Sequence, residues 1–248
     1  QVLGFDPRLH SPDALERLRA AAAKAGAELR PTDPNPLDQA WGEQRPAQPR
    51  APVVPHPLDY AGEESSAKRA RIGEAIAKAG ASAAVLTAPA SIAWLFNIRG
   101  GDVIRSPLPL AQTILNSDGT ARLFLEPAKI TPGLADWLGD GVALETPEAL
   151  PGALAALSGQ SVLIDPAVSS AWYFETLQAA GATIVRGSDP TALPRACKNA
   201  GEVEGSRRAH IRDGVALACC RHGRATHDLN ALPDDIGVVT ALGGFREA

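Results

Sequence analysis

Methionine is absent from the 248 residues and cysteine occurs only three times. A native chain begins with methionine, so a sequence opening on Gln1 is expected to be an internal or truncated piece. Three cysteines, two of them adjacent as Cys219-Cys220, cannot build a disulfide framework and suit a reducing compartment, so the cytoplasm is the expected location. No apolar run reaches the roughly 18 residues needed to span a bilayer, and the segment from Gln1 to Asp6 lacks the make-up of a signal peptide. A basic excess is also lacking. The formal net charge is −4 and the isoelectric point about 5.8, so neither nucleic acid nor an anionic membrane is expected as a partner. Equally absent are a Gly-x-Gly-x-x-Gly opening a helix, a phosphate-binding loop, His-Glu-x-x-His and Gly-x-Ser-x-Gly. Without a glycine loop after a strand, a nucleotide-using α/β enzyme is not expected.

The composition that remains, 45% hydrophobic and 21% charged, is that of a globular chain long enough for one large or two modest cores. Periodicity predicts a strand at Val2 to Phe5, a helix from Pro12 to Ala25 capped by Ser11 and stopped by Gly26, and a strand at Ala27 to Arg30. Eight prolines between Pro31 and Pro57 predict an extended connector without regular helix. Trp41 is its one large apolar residue, expected to pin it to a neighbouring domain. A helix through Lys68, Ile72, Ile76 and Ala79 follows. Strands are expected at Ala83 to Thr87, Leu110 to Leu115 and Ala121 to Leu125, the last two joined by a hairpin turn at Asn116 to Gly119. A helix at Pro147 to Leu157, a strand at Ser161 to Ile164, a helix at Ala171 to Ala180 and a strand at Ala182 to Val185 complete an α/β pattern. The hairpin makes its sheet mixed.

The most informative stretch runs from Ser91 to Asp102, where an apolar segment with Trp94 and Phe96 ends in Arg99-Gly100-Gly101-Asp102. Ile92, Trp94, Leu95, Phe96 and Ile98 are expected in the core, with positive φ at the glycines reversing the chain. Gly100-Gly101 with Arg99 could cradle an anion, but a turn tied by Arg99 and Asp102 is the simpler expectation. The histidines at 10, 56, 210, 222 and 227 share no ligand spacing. Cys219, Cys220, His222 and His227 could bind zinc if the fold gathered them, but vicinal cysteines are poor ligand pairs. The Lys and Arg residues from Arg195 to Arg212 read as a helix face, with Glu202 and Glu204 ahead of Arg207, Arg208 and Arg212 as dipole and side-chain pairing favour.

The string from Ser91 to Asp102 resembles a segment of the second domain of the three-domain Xaa-Pro aminopeptidases, creatinase-like metallopeptidases. Gly4-Phe5-Asp6-Pro7, Pro36-Leu37-Asp38, Trp41, Arg45-Pro46 and Leu58 to Gly62 extend the likeness. Lys198-Asn199, Glu202, Glu204-Gly205, Arg207 to His210 and Asp213 carry it on, in the family's order. The sequence departs at Thr87-Ala88-Pro89-Ala90, where the family has Thr-Ala-Leu-Asp. It departs again after Ala218, where the apolar face is lost and Gly223 enters, a patch that a short reading-frame disturbance would produce.

The resemblance implies a creatinase N-terminal-like α/β domain with a mixed sheet and flanking helices, plus partial flanking domains. Residues 1–30 would end a first domain, 31–57 form the connector, 58–194 the second domain, and 195–248 the start of a pita-bread catalytic domain. An intact enzyme would hydrolyse the bond between an N-terminal residue and a following proline. It would use two divalent metals, manganese or zinc, held by two Asp, one His and two Glu. All five ligands fall beyond Ala248 in the family's order, so no catalytic, cofactor-binding or metal-binding residue is assigned here. Partners implied are a peptide with proline second and, for the assembled enzyme, room for a homodimer. The competing reading is a stand-alone non-catalytic peptide- or protein-binding module.

Overall fold

A computed structural model describes residues 1–226 and 234–247. The chain divides into two compact units, Gln1–Cys197 and Lys198–Ala248. The first opens with β1 (Val2–Phe5), α1 (Pro12–Lys24), β2 (Glu28–Pro31) and α2 (Pro36–Trp41), then β3 (Val54–Pro55), α3 (Leu58–Ala61) and α4 (Ser65–Lys78). It continues with β4 (Ala83–Leu86), α5 (Pro89–Leu95), β5 (Ile98–Arg99), the hairpin β6 (Gln112–Asn116) and β7 (Ala121–Phe124), and α6 (Leu134–Leu138). The elements β8 (Val142–Glu145), α7 (Leu150–Ala155), β9 (Ser161–Ile164), α8 (Ala171–Ala179), β10 (Thr183–Arg186) and α9 (Ala192–Ala196) complete it.

A six-stranded sheet ordered β10-β9-β4-β6-β7-β8 forms the centre of this unit. The pairs β10–β9, β9–β4 and β7–β8 are parallel, and β4–β6 and β6–β7 antiparallel, so the sheet is mixed. In β4 the run Ala-Ala-Val-Leu is buried throughout because both faces are covered, which is why it reads as a continuous apolar stretch. Its side chains alternate: Ala84 and Leu86 join Ile72, Ile92, Leu95 and Phe96 on one face. Ala83 and Val85 join Phe124, Leu154, Phe174 and Leu177 on the other. The expected turn closes the hairpin, with the Gly119 N–H donating to Asn116 O at 3.0 Å and Gly119 at φ 85. Gly73 lets α4 approach that turn, since a Cβ there would lie 2.6 Å from the Ser117 carbonyl oxygen.

Residues 1–30 pack on α8. The Ala171 and Trp172 N–H groups donate to the carbonyls of His10 and Pro7 at 2.8 and 3.0 Å, and Phe5, Leu15 and Ala171 form a small core. Ser11 caps α1 as expected, accepting from the Ala14 N–H.

Two expectations need correction. The connector does contain helix, because Pro36 occupies the first turn of α2, where its missing N–H costs nothing, and Asn35 caps it. Trp41 is 53% exposed, not the buried anchor that was expected. The long helix of the second unit, α10 (Ala200–Thr226), runs through Gly223, so the loss of the apolar face after Ala218 does not end it. At its start Asn199 and Glu202 make a reciprocal cap, each side chain accepting the other's backbone N–H. Within this unit α10 is tied to α11 (Asp235–Glu247) by Arg246 Nε on Asp213 at 2.7 Å.

Candidate functional site

The segment from Ser91 to Asp102 lies on one face of the sheet as α5, a left-handed stop and β5. Pro89, at the departure from the family string, sits in the first turn of α5, a position suited to its fixed φ. Ile92, Leu95, Phe96 and Ile98 are fully buried, as their sequence implied. Asn97 ends the helix at φ 50. Its side chain donates to Glu63 O at 2.8 Å and accepts from Lys68 Nζ at 2.7 Å. Lys68 is itself buried and stands 4.6 Å over the Trp94 ring. Trp94 is 7% exposed, and the Lys68 ammonium over its ring is a cation–π contact.

The glycine corner differs from its sequence reading. Positive φ falls on Asn97 and Arg105, not on Gly100 or Gly101. Gly100 is required by close packing instead, since a Cβ there would stand 2.9 to 3.1 Å from Pro109. Arg99 donates to the carbonyls of Ala93 and Ile98. Asp102 accepts from the N–H groups of Ala51 at 3.0 Å and Leu110 at 2.7 Å and from Lys129 Nζ at 2.7 Å. Burial would push the Asp102 carboxyl upward, but the Lys129 ammonium and the two backbone N–H groups outweigh it and hold it below the ordinary carboxylate value. The corner is thus a knot that joins the connector, the loop before β6 and the segment after β7. A cavity of about 290 Å³ opens beside it, lined among others by Arg50, Leu110, Phe124, Glu126 and Lys129.

The remaining candidates stay apart. Cys219 is exposed and Cys220 buried, both on α10 with His222, and His227 lies outside the described residues. Among the described residues no three His, Cys, Asp or Glu side chains form a group that could hold a metal. His56 stacks on Tyr60, and His210 Nδ1 lies 2.8 Å from Ser206 O. Arg207 and Arg208 both reach Glu204 at 3.9 Å, a helix face with paired charges. Sequence reasoning passed over Lys129 and Arg69. Arg69 is buried and its Nη1 donates to Gly119 O and Gly141 O, joining two loops. Spacing of four from Lys68 to Ile72 and Ile76 marked the buried face of α4, whereas nothing near Lys129 indicates a partner 27 positions away.

Residues 44–202 match the family described as Creatinase/Prolidase N-terminal domain. A probable Xaa-Pro aminopeptidase P of Coccidioides posadasii is 33% identical over 227 residues, covering 88% of this chain and 34% of its own length. The corresponding Penicillium rubens protein is 30% identical over 224 residues, covering 88% and 36%. This chain therefore spans about a third of the length of those relatives. Among solved structures, X-prolyl aminopeptidase from Caenorhabditis elegans, described as a cytosolic enzyme with a di-nuclear active site, superposes with a TM-score of 0.88 at 22% identity. The match takes in all of this chain and 41% of that one. At this identity the likeness is one of fold.

Proposed function

The chain belongs to the Creatinase/Prolidase N-terminal domain family, and from that premise we propose that it is the non-catalytic N-terminal and middle portion of a metal-dependent Xaa-Pro aminopeptidase. Residues 1–30 then end a first domain, 31–57 link it, 58–194 form the second domain, and 195–248 begin the catalytic one. The intact enzyme would release an N-terminal residue that precedes proline. Two divalent metals, manganese or zinc, would polarise the scissile carbonyl and activate water there. Its donors would come from outside the present residues, and the enzyme would work in the cytoplasm.

One observation carries the non-catalytic reading. The polar side chains of the corner are committed internally: Asp102 to Ala51, Leu110 and Lys129, Asn97 to Glu63 and Lys68, and Ser91 to Asp189 at 2.6 Å. A general base or nucleophile must instead present its polar atom to a substrate. Sequencing the gene downstream of the codon for Ala248 tests the assignment. An open frame encoding Asp, Asp, His, Glu and Glu in that order agrees with it; an immediate authentic stop overturns it in favour of a stand-alone binding module.

A further inference from the structure

We propose that the turn Gly4-Phe5-Asp6-Pro7 is a clasp that locks residues 1–31 onto the second domain, so that the proline-rich connector tethers the two but is not a hinge between them. The helix α8 starts without a side-chain cap, Ser170 making no such bond at the cap position, and its first backbone N–H groups have no acceptor inside the helix. Carbonyls from the turn supply them. The Ala171 N–H donates to His10 O at 2.8 Å and the Trp172 N–H to Pro7 O at 3.0 Å, and the Arg8 guanidinium lies 4.1 Å over the Trp172 ring. Lifting the turn away would uncover Phe5 and Ala171, which are 6% and 2% exposed, and take both N–H groups from their acceptors.

Each residue of the turn has a part in the clasp. Gly4 admits Thr32, whose Cγ2 would stand 2.7 Å from a Cβ there, and Thr32 donates to Phe5 O through its N–H at 2.8 Å and its hydroxyl at 3.1 Å. Pro7 lends its carbonyl to α8 and has no N–H of its own to satisfy. The Asp6 carboxylate accepts from the Arg8 N–H at 2.8 Å on one oxygen and from Asn35 Nδ2 at 2.9 Å on the other. Asn35 Oδ1 in turn accepts from the Leu37 N–H at 2.9 Å and so caps α2. One carboxylate thereby holds the shape of the turn and ties it to the helix of the connector. The ion pairs across the same joint, Arg19 with Glu175 at 3.0 Å and Arg186 with Asp13 at 3.6 Å, join exposed side chains and add little. The clasp is independent of the peptidase assignment.

The test is amide exchange at Ala171 and Trp172 in the 248-residue chain, with residual dipolar couplings for residues 1–31 and 58–194. Both amides should be protected like those of β4, and one alignment tensor should fit both segments. Asp6→Asn sets two amide groups against each other at position 35, and Asn35→Asp sets two carboxylates against each other. Each should speed exchange at Ala171 and Trp172 by about tenfold, the worth of one lost hydrogen bond to a charged group, with β4 unchanged. The double variant Asp6→Asn, Asn35→Asp restores the bond with donor and acceptor exchanged, and should return both amides to the wild-type rate. Wild-type exchange as free as that of exposed amides, two different tensors, single variants without effect, or a double variant no better than the singles would each overturn the proposal. Release of both amides by about 1 M sodium chloride, where charges are screened within about 3 Å, would also overturn it by assigning the joint to the ion pairs.

Discussion

Asp102 and Lys129, 27 positions apart in sequence, form an ion pair at 2.7 Å with side chains that are 0% and 5% exposed. Breaking such a pair leaves one ion buried without its counter-charge, a loss of about 3–5 kcal/mol. Lys129→Met should therefore destabilise the first unit by about that amount, read as a fall in denaturant midpoint. Simultaneous Asp102→Leu and Lys129→Met should recover much of the loss, since no charge is stranded. A Lys129→Met midpoint equal to wild type would remove the pair from the stability account.

Acid should act through the same carboxylate. The Asp102 carboxyl is held below its ordinary value, so it binds its proton less readily folded than unfolded. Its contribution is present above the unfolded value of about 3.9 and is lost as pH falls through the lower folded value. The stability gap between wild type and Asp102→Asn should be widest above the unfolded value and narrow as pH falls below it. A gap constant over that range would contradict the assignment.

Trp94 is core material with a cation over its face. Trp94→Ala should lower stability by roughly 3–5 kcal/mol, and Trp94→Phe, which keeps a ring for Lys68, by much less. An unchanged melt in Trp94→Ala would remove the ring from the core.

Tyr173 sits where residues 1–30 meet α8, and burial pushes its phenol up to about 12, partly opposed by the positive charge of Arg8. Its share of stability is intact below the unfolded value of about 10 and gone once pH has risen through about 12. In a Tyr60→Phe background, phenolate absorbance should stay low in the folded chain at pH 11 and appear on unfolding. Full ionisation at that pH in the native chain would place Tyr173 in solvent.

Much of this architecture was legible because periodicity and turn chemistry act locally. The helices at Pro12 and Lys68, the Asn116 to Gly119 turn and the apolar run from Ile92 to Ile98 all reach the structure with shifts of a residue or two. β8 escaped notice because four half-exposed residues at a sheet edge carry no alternation; it is placed by β7 and by the two-point contact of Arg122 with Glu145 at 2.5 and 2.7 Å. The glycines of the corner were misread for a related reason: a positive φ is suggested by residue type, but the need for Gly100 comes from Pro109, which only the folded loop brings close. The same limit hid Lys129, whose role depends on partners supplied by the connector and by the corner.

The central claim, that this chain contributes architecture and not the hydrolytic centre, is met most directly by one assay. The purified 248-residue chain, supplied with manganese and a short peptide carrying proline second, is followed for release of the first residue. No release above the metal-containing buffer is expected. Turnover that a chelator abolishes and added manganese restores would contradict the account.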